Sequence, residues 1–134
     1  MATSSSSFEC ARWLATASFT SVGMPTAEVF AVPYLAAGFT TYSSAVFNFI
    51  PKTAMQFFNA VCAGDRTSTD RLLRSLYLPY ASLRNHRKGY AVSIVKAGMR
   101  TVGRPAGPVR PPLTDLSADE QGELARIVRS ARAT

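Results

Sequence analysis

From residue 51 onward the apolar positions recur at helical spacing. Ala54, Phe57, Phe58, Val61 and Cys62 fall at i, i+3, i+4, i+7 and i+8, with Pro51 at a first helical position and Gly64 closing the run. A second helix is expected after Asp65, with Leu72, Leu73, Leu76, Tyr77 and Tyr80 on one face and Pro79 bending its later part. A third is expected from about Tyr90 to Val102, with Val92, Val95, Met99 and Val102 as its apolar seam and Gly103 just past its end. Arg104 to Leu113 contains four prolines and cannot be helical. Ser117 and Glu120 then have the spacing of a capping box ahead of a last helix striped by Leu124, Ile127, Val128 and Ala131.

The front of the chain reads differently. Phe19 to Val22 is a short strand candidate ending in Gly23, Met24 and Pro25, and a helix is expected from about Thr26 to before Gly38. Glu28 would sit in its first turn, where a negative charge suits the dipole, and Pro33 would kink or shorten it. Phe39 to Phe49 carries no charge and is rich in aromatic, β-branched and small residues, which predicts a buried strand. Strand, helix, strand implies a parallel pair joined by a crossover helix, and such a sheet needs more than two strands and cover on both faces. The chain is therefore expected either to pair with another polypeptide or to be the tail of a larger α/β fold.

Length and composition narrow the class. The 134 residues suffice for one ordinary domain, and 47% apolar against 17% charged suits a chain with a core and not a disordered tail. The longest apolar candidate for a membrane span, Ala27 to Phe39, is interrupted by Glu28 and Pro33 and falls short of the roughly 20 residues required. The formal charge of +7 arises wholly in residues 65–134, where 13 basic residues face 6 acidic ones. Cys10 and Cys62 lack metal-ligand spacing and do not suggest a disulfide framework, so a cytoplasmic setting is expected. Met1 to Ser7 is polar and lacks the features of a secretory signal.

Four blocks carry a resemblance. Residues 23–30 (GMPTAEVF), 42–51 (YSSAVFNFIP), 89–98 (GYAVSIVKAG) and 106–116 (AGPVRPPLTDL) closely resemble the 5-dehydro-4-deoxyglucarate dehydratase family, within the dihydrodipicolinate synthase and N-acetylneuraminate lyase superfamily. The resemblance runs from about residue 22 to the C-terminus and implies a (β/α)8 TIM barrel, of which this chain is the C-terminal fragment. By resemblance, residues 19–23 look like strand seven and 40–48 like strand eight. Residues 19–64 would then be the last two β/α units and 65–134 a C-terminal helical extension, leaving a mostly helical α/β fragment. Residues 1–18 do not match and are expected to be a disordered N-terminus.

The chemistry implied is a Schiff-base dehydration with decarboxylation that gives 2,5-dioxopentanoate, carbon dioxide and water, without a metal or organic cofactor. The family's reactive lysine stands on strand six, outside these residues, so the resemblance implies no catalytic residue in this chain and no activity of the fragment alone. The partner implied is a small sugar-acid substrate, with no nucleic acid and no membrane, in an enzyme that forms homo-oligomers.

Barrel sites collect at the C-terminal ends of strands, which makes Gly23, Ser43, Ser44, Phe47 and Asn48 the substrate-binding candidates. Gly23 would let the backbone approach substrate, Ser43 would offer its carbonyl or hydroxyl, and Ser44 and Asn48 would hydrogen-bond carboxylate or hydroxyl oxygens. The competing reading is that these polar groups satisfy neighbours in the fold. Lys52, Lys88 and Lys96 are the only lysines, and none has the address of a Schiff-base amine. The lone His86 lies among Arg84, Asn85, Arg87 and Lys88 in an exposed basic loop, without metal-binding company. That cluster, with Arg100, Arg104 and Arg110, raises the alternative of a small nucleic-acid binder, but Phe57, Phe58, Tyr77 and Tyr80 fall on the apolar stripes and not between the arginines. A non-catalytic remnant or interaction module is the remaining alternative.

Overall fold

Proline, glycine and short polar side chains set the helix ends, and the hydrophobic periodicity sets which faces meet. The computed structural model describes residues 28–37, 39 and 42–133. A turn at residues 28–30 leads into α1 (Ala31–Ala36), whose Pro33 lies within the first turn, where its missing N–H is one that the helix leaves unpaired in any case. The helix is correspondingly short, only six residues.

The buried strand expected over 39–49 is not formed in the described part of that span. Residues 42–44 have no regular structure, and Val46–Asn48 closes a 3-10 turn. A strand needs a neighbour to take its N–H and C=O groups, and no described residue is in a strand. The first strand candidate, 19–22, lies outside the described residues. What remains is the expected helical majority.

Pro51 opens α2 (Pro51–Ala63), and Gly64 at φ 70° ends it in the left-handed conformation that a glycine adopts without a Cβ penalty. Asp65 caps α3 (Arg66–Leu72) by accepting a hydrogen bond from the Ser68 N–H at 3.1 Å. The chain continues as a π-helical segment, Leu73–Tyr77, into α4 (Leu78–Arg84). Pro79 is the cause: it has no N–H to give and its ring crowds the carbonyl four residues back, so the turn before it widens and the Leu78 N–H donates to the Leu73 carbonyl five residues back. The disturbance expected at Pro79 takes this form.

The basic loop 85–89 is exposed throughout, as expected. It leads into α5 (Tyr90–Thr101), and the proline-rich strap 104–116 carries the chain to α6 (Ala118–Arg132). Ser117 and Glu120 form the full capping box, side chain to amide in both directions. The α5 seam is a correction. Val92 is 48% exposed, while Tyr90, Ser93, Ile94, Ala97 and Gly98 form the buried face, with Val95, Met99 and Val102 half-buried at its border. Two stripes of similar hydropathy run along this helix, and the one with glycine and alanine wins because its small residues admit a ring. An ideal Cβ on Gly98 would stand 2.7 Å from Phe49 Cδ1.

One hydrophobic cluster joins every element. Val46 and Phe49 enter from the 3-10 turn, Phe57 and Val61 from α2, Leu76 and Tyr77 from the π segment, and Leu124 and Val128 from α6. α6 packs on α5, α4 and the π segment, and α2 packs on α3 and the 3-10 turn. Cys62, near the end of α2, is disulfide-bonded, against the sequence expectation; its partner lies outside the described residues, and separation along the chain did not report what folding brings together. Among the described residues no helix is long and apolar enough to cross a membrane.

Candidate functional site

The segment 42–50 is the part of the chain in which sequence placed the substrate-facing groups, and a buried carboxyl organises it. Glu28 is 3% exposed, in the turn ahead of α1, and not in the first turn of the helix as expected from the sequence. The Val46 N–H donates to Glu28 Oε1 at 3.4 Å, and the Ser44 hydroxyl and the Ala45 amide also favour its charged form. Burial outweighs them and holds the carboxyl above the ordinary carboxylate range. Burial likewise pushes the phenols of Tyr42, Tyr77 and Tyr80 upward, and the Glu28 charge adds to it in each case. Tyr77 stacks at 4.3 Å on Phe57 and Tyr80 at 6.0 Å on Phe49, so these rings stand as neutral packing groups around the carboxyl.

The expected binding residues divide on this frame. Ser44 is turned inward: its Oγ accepts from the Phe47 N–H at 3.1 Å, and it faces Glu28. Asn48 Nδ2 donates to the Ala45 carbonyl at 3.0 Å and closes the 3-10 turn, while its own carbonyl accepts from Arg104 Nη2 at 3.3 Å. Ser43 and Asn48 are exposed, and so is the Phe47 ring at 43%. Gly23 lies outside the described residues. The polar groups of Ser44 and Asn48 thus make local bonds, which is the competing reading, while Ser43 and the outer side of Asn48 face solvent.

Beside this turn opens a cleft of about 500 Å³ between the start of α2, the head of the strap and the end of α6. Phe49, Ile50, Pro51, Lys52, Thr53, Gln56, Val102, Arg104, Ala131 and Arg132 line it. Ser43, Ser44, Phe47 and Asn48 are not among them, although Asn48 adjoins the cleft through Arg104. Glu28 and Thr53 are what sequence reasoning missed. A lone acid in an otherwise uncharged stretch was the available signal for Glu28; for Thr53 there was none.

Lys96 and His86 have structural partners. Lys96 Nζ donates to the carbonyls of Ala106 at 3.1 Å and Pro108 at 2.8 Å, tying the strap to α5. His86 Nδ1 stands 3.4 Å from Glu120 Oε1. Glu120 also accepts from the Tyr90 hydroxyl at 2.7 Å and the Ser117 N–H at 2.9 Å, and these bonds, the backbone one foremost, draw its carboxyl down to about 2. No group of three or more His, Cys, Asp or Glu that could hold a metal ion occurs among the described residues.

Comparison with known proteins agrees with the resemblance. A probable 5-dehydro-4-deoxyglucarate dehydratase of Rhodococcus opacus is 57% identical over 107 residues, covering 80% of this chain and 35% of that protein. Another, of Leptothrix cholodnii, is 62% identical over 106 residues, covering 79% and 35%. The chain thus spans little more than a third of the length of the curated relatives it matches. Among solved structures, dihydrodipicolinate synthase from Oceanobacillus iheyensis superposes with a TM-score of 0.70 at 27% identity, over 81% of this chain and 36% of that one. The family model for dihydrodipicolinate synthetases matches residues 19–131, which takes in every helix described above but for the last residue of α6. By that match, the strap, the capped last helix and the turn around Glu28 are parts of one inherited pattern, and the chain belongs to the dihydrodipicolinate synthetase family.

Proposed function

We propose that this chain is the C-terminal, substrate-lining part of a 5-dehydro-4-deoxyglucarate dehydratase of the cytoplasm, its expected strands seven and eight closing a TIM barrel. The observation that carries the reading is the 55–62% identity to proteins so named, over about four fifths of the chain. In this reaction a lysine amine condenses with the substrate's keto carbon and releases water. The imine takes up the electron pair left when the adjacent carbon loses a proton, that pair expels the β-hydroxyl as water, the conjugated imine takes up the C–C pair as carbon dioxide leaves, and protonation and hydrolysis return the amine and 2,5-dioxopentanoate. Ser43 and Asn48, exposed on the 42–48 turn, are suited to hydrogen-bond the hydroxyl and carboxylate oxygens of such a substrate.

The amine itself belongs to family sequence outside these 134 residues. A nucleophilic lysine needs a desolvated site that keeps it neutral. Lys52 and Lys88 are exposed, and Lys96 spends its protons on two strap carbonyls. Borohydride reduction of the chain mixed with 5-dehydro-4-deoxyglucarate, read by mass spectrometry, tests this: we expect no adduct and no 2,5-dioxopentanoate. An adduct on any of the three lysines refutes the placement of the amine. In an NMR titration the same substrate should shift the Ser43 and Asn48 amides, and unmoved amides refute the lining role.

A further inference from the structure

We infer that Glu28 is a positioning residue for substrate binding: its carboxyl holds the 42–48 turn in the shape that presents Ser43 and Asn48. The inference rests on the lining role proposed above for those two residues. They lie on a segment without regular structure up to the 3-10 turn Val46–Asn48, and among the described residues there is no strand beside it to fix its backbone. Its shape has to come from side chains that reach it from elsewhere.

Two side chains do so. At the rear, Arg104 Nη2 donates to the Asn48 carbonyl at 3.3 Å, an exposed bond that water can replace. At the front, the Glu28 carboxyl accepts from the Val46 N–H at 3.4 Å, from the Ser44 hydroxyl and from the Ala45 N–H, so one group grips three consecutive residues. That grip is passed along the turn. Ser44 Oγ accepts from the Phe47 N–H at 3.1 Å, and the Ala45 carbonyl takes the Asn48 N–H at 3.3 Å and Asn48 Nδ2 at 3.0 Å. Ser43 is joined to Ser44 by one peptide, which leaves its Cα about 3.8 Å from a held residue.

Burial gives the front hold its weight. Glu28 and Val46 are both buried, so water does not take over a bond lost between them, and a Val46 N–H left without its acceptor would be costly. The titratable groups that face the carboxyl from the other elements are Tyr42 ahead of the turn, Tyr77 on the π segment and Tyr80 on α4, with Arg84 acting in turn on Tyr80. The buried hydroxyls of Tyr77 and Tyr80 make no hydrogen bond. The carboxyl is therefore aimed at the turn and is not shared with those two phenols.

The test compares the isotope-labelled 134-residue chain with three variants by NMR. Glu28→Val removes the acceptor and keeps an apolar group in the buried place, Glu28→Gln keeps one acceptor oxygen, and Val128→Ala lowers stability from α6, which packs on α5, α4 and the π segment. The heteronuclear NOE of the 43–48 amides, read without ligand, should fall in Glu28→Val and stay at the wild-type level in the other two. In a titration with 5-dehydro-4-deoxyglucarate well below every Tm, the Kd read at the Ser43 and Asn48 amides should rise about tenfold in Glu28→Val and stay within about threefold of the wild type in Glu28→Gln and Val128→Ala. The wild-type Ala45 and Val46 amides should also shift together with pH, with a midpoint above the ordinary carboxylate range, and Glu28→Gln should abolish that step. A wild type whose Ser43 and Asn48 amides ignore the substrate fails the lining reading, and the NOE values then decide on the Glu28 hold alone. A Glu28→Val chain that folds with wild-type NOE values or a wild-type Kd overturns the inference, as does an equal loss in Val128→Ala. If Glu28→Val does not fold, the pH step decides: its absence from the wild type, or its persistence in Glu28→Gln, overturns the inference.

Discussion

Replacing Gly98 by alanine sets two known effects against each other at one atom. In the middle of a helix alanine is favoured over glycine by about 1 kcal/mol, so Gly98→Ala would stabilise α5 if space allowed. It does not: the added Cβ would meet the Phe49 ring at 2.7, 2.8 and 2.9 Å, closer than real Cβ contacts come. Phe49 is 2% exposed and packs at 6.0 Å on Tyr80, so the ring cannot swing into solvent without opening the core. Overpacking of this kind costs about 1–3 kcal/mol, and after the helix-propensity gain a net destabilisation of up to about 2 kcal/mol remains. For a domain of this size that lowers Tm by up to roughly 10 °C. Gly122, inside α6, provides the control, because a Cβ there meets nothing within 4 Å. Gly122→Ala should gain up to about 1 kcal/mol by propensity alone. Circular dichroism melts of the two variants beside the wild type decide the matter. If Gly98→Ala melts with or above Gly122→Ala, the close approach of α5 to Phe49 is wrong.

Other expectations follow from the buried and capping carboxyls and from the strap. The folded state raises the Glu28 pKa above 4.5, so its contribution is fully present below that pH and is lost as pH rises through the folded value; Glu28→Gln, which cannot ionise, should gain on the wild type in Tm as pH rises above 4.5, and a constant difference refutes this. Glu120 has the opposite sign, drawn from 4.5 to about 2, so its contribution is present above 4.5 and is lost as pH falls toward 2; Glu120→Gln should flatten that acid limb of the melting curve. Ser117→Ala, which removes the cap on α6, should cost about 1 kcal/mol, measured by urea unfolding. Lys96→Met should free the strap carbonyls of Ala106 and Pro108 and speed cleavage within residues 104–116 by proteinase K, and unchanged cleavage would refute the tie.

The parts of the fold that sequence disclosed are those decided locally. Pro51, Gly64, Asp65 and the Ser117 and Glu120 pair act within one helical turn, and each stands where its residue type and spacing put it. The described part of 39–49 forms no strand because a strand is a property of a pair, and composition describes only one member. On α5 two stripes competed and the choice fell to Gly98, whose lack of a side chain is the reason it matters. Glu28 looked only like a helix-start acid because burial is tertiary information, and its partners at Ser44 and Val46 lie 16 and 18 residues away. The cleft was least legible of all, since its cations come from positions 52, 104 and 132, which share no local motif.

Lys96 is well away from the cleft lining, yet its grip on the strap governs that cleft at one remove. Arg104 stands two residues before Ala106, whose carbonyl Lys96 holds, so its Cα is leashed within about 7 Å of a fixed point. One wall of the cleft is therefore moored to α5, while the opposite wall belongs to the head of α2. The two walls keep their spacing because Phe49, next to the α2 wall, is seated on Gly98 of α5. Gap width in this protein is thus a readout of how firmly one aromatic ring rests on one bare stretch of helix.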